Sequence, residues 1–520
     1  MRNTAISPGM TTARSRGALA VLSVAQFLVA LDYSIIYVAL PSIARDLSLD
    51  PAVTQWVISG YAVFFAGFLM VGGRLADRVG AKPLFIVAIM LFGVASAAGG
   101  AAQGGALLLA ARGAQGLGAA LLQPAILGVI GKTFPAGPSR SRALVVWGSV
   151  GASGLAVGAI LGGLLTTASW RLTFFVNVPL ALLCAAGAAK WFGHAREKDR
   201  VSHIPVLASI LGTGAVLALV AGLSLSADQG WYAAPTLALL GLALLFALGF
   251  LLNENTSPSV LIERVLRRTR SLRVGSAATA LYMASVGSEF YLVTLLLQSA
   301  KNYAPLQAGF AFLPLAVMVT VGSMAAGRAV RRFSPPTVLA GGFAIAAIGL
   351  VWLSLTLHGD AYVVDLLPGL IISGFGHGVI YTSMFIVGTR DVPSAHQGAA
   401  GALLTTSQYL SGAITIAILT LVLGSAPNDD GFRTTFLLTT AAAVAGIILI
   451  AAQSRRLALP VRTIRKAPAT RNWRDLNTMD LVTRRLEGTP APRSCRRAPR
   501  WPARRASDPA PSRRPSGSRW

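Results

Sequence analysis

Three ionisable side chains of this 520-residue chain, Asp32, Arg112 and Glu289, fall inside long apolar stretches. Charge within hydrocarbon is costly enough that each is a functional candidate by default. Desolvation disfavours an ionised carboxylate, and a neighbouring cation favours it again. A carboxylate so placed can load and release a proton when its access switches sides. Asp32 or Glu289 is therefore expected to carry a coupled proton, with Arg112 as partner. His377, set among glycines in GFGHG (374–378), offers either a packed hydrogen bond or a proton site. Gln298 and Gln408 are polar groups in apolar surroundings and candidates for lining a cavity. Tyr33, Tyr37, Tyr61, Phe64, Phe65, Tyr282, Phe290 and Tyr291 supply aromatic surface. Such surface suits amphiphilic small molecules as well as ordinary packing.

Several kinds of chemistry are missing. No G-x-x-x-x-G-K-[ST] loop occurs, and no paired-carboxylate, metal-ligand or nucleophile constellation stands out. The expectation is a protein that is not an enzyme, uses no cofactor or metal, and draws its energy from a proton gradient.

Long apolar segments must position these groups. The chain is 54% hydrophobic and 12% charged, with a mean hydropathy of +0.63. A soluble protein would carry about twice that charged share. About fourteen runs reach the roughly 20 residues needed to cross a bilayer. With no water to satisfy the backbone there, they are expected to be helical. If the N-terminus is cytoplasmic, the inward loops and N-terminal arm hold 22 Lys and Arg before the tail, and the outward loops only Arg45, Arg171, Lys301 and Arg433. That bias predicts a multi-pass protein of the cell membrane with both termini in the cytoplasm.

The net charge of +26 is not a nucleic-acid signature. The tail from Arg455 onward holds 18 basic and 4 acidic residues, a composition expected to be disordered. Small molecule and lipid bilayer are the expected partners, with no nucleic acid and no obligatory protein. Cys184 and Cys495 suggest no disulfide frame. The first apolar run lacks a small-residue cleavage site and does not read as a signal peptide.

The chain repeats itself. GRLADRVGAK (73–82) and GRAVRRFSPP (327–336) are basic loops 254 positions apart, each between apolar runs. GLGAALLQPAILGVIGKTFP (116–135) aligns with GFGHGVIYTSMFIVGTRDVP (374–393) at an offset of 258. Two related six-helix units follow, as in many transporters. The expected division is an arm (1–16), a first bundle (17–195), an inserted helix pair (196–258), a second bundle (259–454) and the tail (455–520).

These stretches resemble the major facilitator superfamily, in particular its fourteen-helix drug:proton antiporters, and among them actinobacterial antibiotic exporters. LDYSIIYVALP (31–41) looks like the first-helix signature, with Asp32 at its acidic position. In the cytoplasmic loop motif Gly73, Asp77, Arg78, Gly80 and Lys82 are in place, while Ala81 replaces a basic residue. RGAQGLGAA (112–120) is similar to the fourth-helix motif through Arg112, Gln115 and Gly116. GLAVGAILGG (154–163), with Gly154, Gly158, Gly162 and Gly163, resembles the fifth-helix antiporter motif, but Ala159 stands where proline is usual. WRLTFFVNVP (170–179) and LLLQSAKNYAPLQAGFAFLP (295–314) are similar to this branch as well.

The resemblance implies proton-driven efflux of a drug-like or antibiotic molecule by alternating access, conferring resistance or exporting a secondary metabolite. A proton-linked importer on the same fold stays open. Asp77 is expected to latch a helix N-terminus of the other half, since an acidic residue does little to orient a loop.

Overall fold

A computed structural model describes residues 8–193, 205–257, 260–303, 305–357, 359, 361–424 and 428–457. The first seven residues of the expected arm and the tail beyond residue 457 lie outside the described residues. The described chain is helical, with no strand among the described residues.

Six helices build the first half. They are α1 (Pro8–Asp46), α2 (Pro51–Val79), α3 (Ala81–Gly100), α4 (Gly105–Thr133), α5 (Pro138–Ala168) and α6 (Leu172–Trp191). The inserted pair is α7 (Val206–Gln229) and α8 (Ala234–Thr256). The second half is α9 (Arg270–Gln298), α10 (Pro305–Ala329), α11 (Pro335–Thr356), α12 (Tyr362–Thr389), α13 (Gln397–Leu423) and α14 (Asp429–Leu457). Among the described residues, thirteen are long and apolar enough to cross a membrane. The other, α5, is 31 residues long. Helix α1 begins at Pro8, inside the stretch expected to be an arm, and runs through Pro41 without ending.

Local chemistry sets the boundaries. Pro51 and Pro138 stand in the first turns of α2 and α5, where a missing N–H costs nothing. Helix α2 stops at Gly80, whose φ of 96° is open to glycine and strained for other residues. In α9 the regular helix breaks at Met283–Gly287, where Ser285 has φ −107° and ψ −110°.

Within each half the repeat is a packing code. A Cβ on Gly116 would lie 2.4 Å from the Tyr61 carbonyl on α2, and one on Gly374 2.7 Å from the Leu315 carbonyl on α10. Gly118 sits against Ala88 of α3, and Gly376 against Ala346 of α11. The fourth helix of each half thus seats its backbone directly on the second and third, the close approach that drives helix association in lipid.

The halves meet along two seams related in the same way. Helix α13 packs on α2 and α4, and α10 packs on α5. Helix α7 lies over the first seam, against both α2 and α13, through Val63, Ala66, Val216, Val220 and Tyr409. Helix α8 packs on α7 with most of its surface exposed.

Adding a side chain at the repeat glycines should strain the fold. Gly116→Val is expected to cost about 1–3 kcal/mol by overpacking, seen as a lower melting midpoint of the purified protein. Gly241→Val, at a glycine with nothing within 4 Å, should leave the midpoint close to wild type.

Candidate functional site

In the first half, two helices send donors to one carboxylate, and two more join through those donors. Asp32 Oδ2 accepts from Arg112 Nη1 at 2.9 Å. Its Oδ1 accepts from Gln115 Nε2 at 3.0 Å and from Asn177 Nδ2 at 2.8 Å. Arg112 and Gln115 stand three residues apart on α4 and so share a face. Arg112 Nε donates to the Val57 carbonyl at 2.9 Å, and its guanidinium lies 4.6 Å from the Tyr61 ring centre. Gln115 Nε2 also donates to Ser96 Oγ at 2.8 Å. None of Asp32, Arg112, Gln115, Asn177 and Ser96 is more than 2% exposed. Charge is balanced by charge here, and every oxygen of Asp32 has a donor.

Glu289 belongs to a separate site in the second half. Its Oε1 accepts from Ser373 Oγ at 2.5 Å, its Oε2 has no partner, and the residue is 0% exposed. The structure therefore pairs Arg112 with Asp32 and not with Glu289. One turn beyond Ser373 on α12, His377 Nε2 shares a hydrogen bond with the Tyr282 hydroxyl, with the rings edge to face.

Aromatic rings join the halves. Phe65 of α2 meets Tyr409 of α13 with ring centres 4.6 Å apart. Trp147 of α5 meets Tyr381 at 5.9 Å and Phe385 at 5.0 Å on α12. Tyr37 stands beside Tyr33, 5.6 Å between ring centres, and is 41% exposed. Other candidates lie elsewhere. Gln298 is exposed near the end of α9, and Gln408 is buried on α13. Phe290 packs on Phe312, and Tyr291 hydrogen-bonds Thr420, both within the second half.

At one end of the seam the first basic loop reaches the other half. Gly73 lets α13 in, since its Cβ would fall 2.6 Å from that of Ala402. Asp77 lies at the N-terminus of α13, with a backbone hydrogen bond from Ala399 and with Arg74 and Lys132 nearby. The first-turn amides of a helix favour such an anion. Arg74 pairs with Glu263, and Glu263 Oε2 lies 3.3 Å from His396 Nδ1. Lys82 Nζ caps the end of α6 through the carbonyls of Ala189 (3.0 Å) and Phe192 (3.2 Å). Arg78 is exposed. In the second loop Gly327 approaches Val145 of α5, while Arg331 and Arg332 are exposed.

The glycines of α5 face α1. A Cβ on Gly154 would lie 2.9 Å from the Phe27 carbonyl, on Gly158 2.8 Å from that of Leu31, and on Gly162 3.1 Å from that of Ile35. They let two helices of the same half touch. Gly163 is half-exposed on the same helix.

Reading the sequence missed Asn177, Ser96, Ser373, Glu263, Trp147, Tyr381 and Tyr409. Asn177 left a trace, as the one amide in FFVNVP. Glu263 left none, because its partners are far away in the chain.

Comparison with known proteins bears on the family and the fold. The family model described as Major Facilitator Superfamily matches residues 22–206 and 195–416. The chain is 36% identical to the puromycin resistance protein pur8 of Streptomyces alboniger over 78% of this chain and 81% of that one. It is 35% identical to the cephamycin export protein CmcT of Amycolatopsis lactamdurans over 81% and 87%. Among solved structures, the human organic anion transporter MFSD10 is similar with a TM-score of 0.62 at 13% identity, over 84% of this chain and 99% of that one. The proton:xylose symporter XylE is similar with a TM-score of 0.61 at 13% identity, over 85% and 96%. With the family model covering most of its length, and a helical architecture shared with these structures, the chain belongs to the major facilitator superfamily.

Proposed function

We propose that this protein exports a drug-like or antibiotic small molecule in exchange for protons, by alternating access at the seam between its halves. The observation that carries the reading is Asp77. It stands on the N-terminus of a helix from the other half, a contact that holds one end of the seam shut and must break for that end to open. In this reading that end faces the cytoplasm, the side that basic loops favour, and both termini lie on the same side. The substrate passes between the halves, along surface supplied by Tyr33, Tyr37, Tyr381 and Tyr409. Relatives named for puromycin resistance and cephamycin export support the direction. A carboxylate is buried in each half, Asp32 and Glu289, and one of the two is the candidate for the coupled proton.

The latch divides labour between the two loops. Neutralising Asp77 removes a charge–helix contact of about 1–2 kcal/mol. Asp77→Asn should lower transport about 5- to 30-fold at matched expression if that energy sets the closed population. Arg331→Gln, at an exposed site, should act mildly, and equal effects would contradict the division. For the export reading itself, expression in an efflux-deficient host should lower puromycin accumulation and raise resistance. Unchanged accumulation of a panel of antibiotics, puromycin included, would overturn it.

A further inference from the structure

Each half buries one carboxylate hydrogen-bonded to its fourth helix. Asp32 and Gln115 are hydrogen-bonded across 83 residues of chain, and Glu289 and Ser373 across 84. The offset of 258 that takes Gly116 to Gly374 also takes Gln115 to Ser373 and Arg112 to Leu370. It takes Ser96 to Ser354 and Asn177 to Thr435 as well. Packing supports the equivalence, since Gly118 rests on Ala88, and Gly376 on Ala346, at that same offset.

The carboxylate of the second half has a single side-chain donor and lacks the other partners that Asp32 has. Leu370, fully buried, stands at the position aligned with the guanidinium. The Ser354 and Thr435 hydroxyls donate to carbonyls of their own helices, Val351 and Phe432, each at 2.7 Å. Glu289 is left with Ser373, and its Oε2 with no partner. Of the titratable groups on the helices around it, Arg270, Arg273, Tyr282 and Tyr291 lie on α9, Tyr362, Asp365, His377 and Tyr381 on α12, and Tyr409 on α13. Asp429, Asp430 and Arg433 stand in the first turns of α14. Among the described residues no Lys, Arg or second carboxylate acts on Glu289.

The two carboxylates then face opposite demands. Protonating Asp32 would leave a buried guanidinium unpaired, which is strongly unfavourable. Ionising Glu289 would leave a buried anion with one hydrogen bond, whereas a proton on Oε2 neutralises it. We propose that Glu289 is the proton carrier and that Asp32–Arg112 is a fixed ion pair that keeps its charge through the cycle. In the loading step a proton from one side of the membrane binds Glu289 Oε2. In the unloading step that proton leaves to the other side, and no other bond forms or breaks. The helix break at Met283–Gly287, immediately before Glu289 in the chain, gives α9 a place to bend as access changes. The coupling role rests on the export reading above, but the protonation of Glu289 does not.

Infrared difference spectra of the full chain in lipid nanodiscs, recorded between acidic and alkaline pH, test the assignment. The wild type should show a titrating C=O band from a buried protonated carboxyl. That band should persist in Asp32→Asn, shift in Ser373→Ala and vanish in Glu289→Gln, which keeps the side-chain shape. A band lost in Asp32→Asn but kept in Glu289→Gln would overturn the proposal, as would no titrating band in the folded wild type. In proteoliposomes with puromycin as the probe, Glu289→Gln should lose gradient-driven accumulation while keeping exchange of labelled puromycin. Loss of both, with folding intact, would contradict a coupling role. Failure of the wild type to move any antibiotic would count against export, while the infrared result would stand.

Discussion

Asp32 gathers four helices at one buried point. Its two oxygens take donors from α4 and α6, and through Gln115 and Ser96 the contact extends to α3. Arg112, which neutralises it, also binds the backbone of α2. An unpaired charge at this depth would be intolerable, so the helices are held in the arrangement that satisfies it. The glycines of α5, lying directly on the α1 backbone, then seat that helix against the assembled five. The first half is thereby fastened from within by contacts among its own six helices.

The seams between the halves are joined at their aromatic contacts by packing alone. Phe65–Tyr409 and Trp147–Tyr381 are ring contacts without hydrogen bonds between them. Polar fastening is concentrated at one end, in Asp77 on α13 and in Glu263 between Arg74 and His396. Glu263 lies in the segment joining the inserted pair to the second half, so α7 and α8 are tied to the same fastening as well as covering one seam.

Much of this was legible in the sequence. Apolar run length revealed the helices because a backbone in lipid has no other option. The repeat revealed the two halves because Gly116 and Gly374 perform the same steric task in each. Asp32 and Arg112 were recognisable as costly residues, but which carboxylate Arg112 meets depends on how α4 is turned, and only the fold settles that. Glu263, Tyr381 and Tyr409 were illegible for a related reason. Glu263 acquires its partners, and the two tyrosines their contacts across the seam, when elements far apart in the chain come together. The pairing of Glu289 with Ser373 becomes readable only when the second half is laid over the first.

The central claim is that a proton gradient drives a small molecule across this seam. Its most direct measurement is puromycin accumulation in inside-out vesicles as the interior is made acidic. The account predicts accumulation that appears with the gradient, collapses when a protonophore is added, and is absent from vesicles without the protein. Accumulation of the same size with and without the gradient would contradict it.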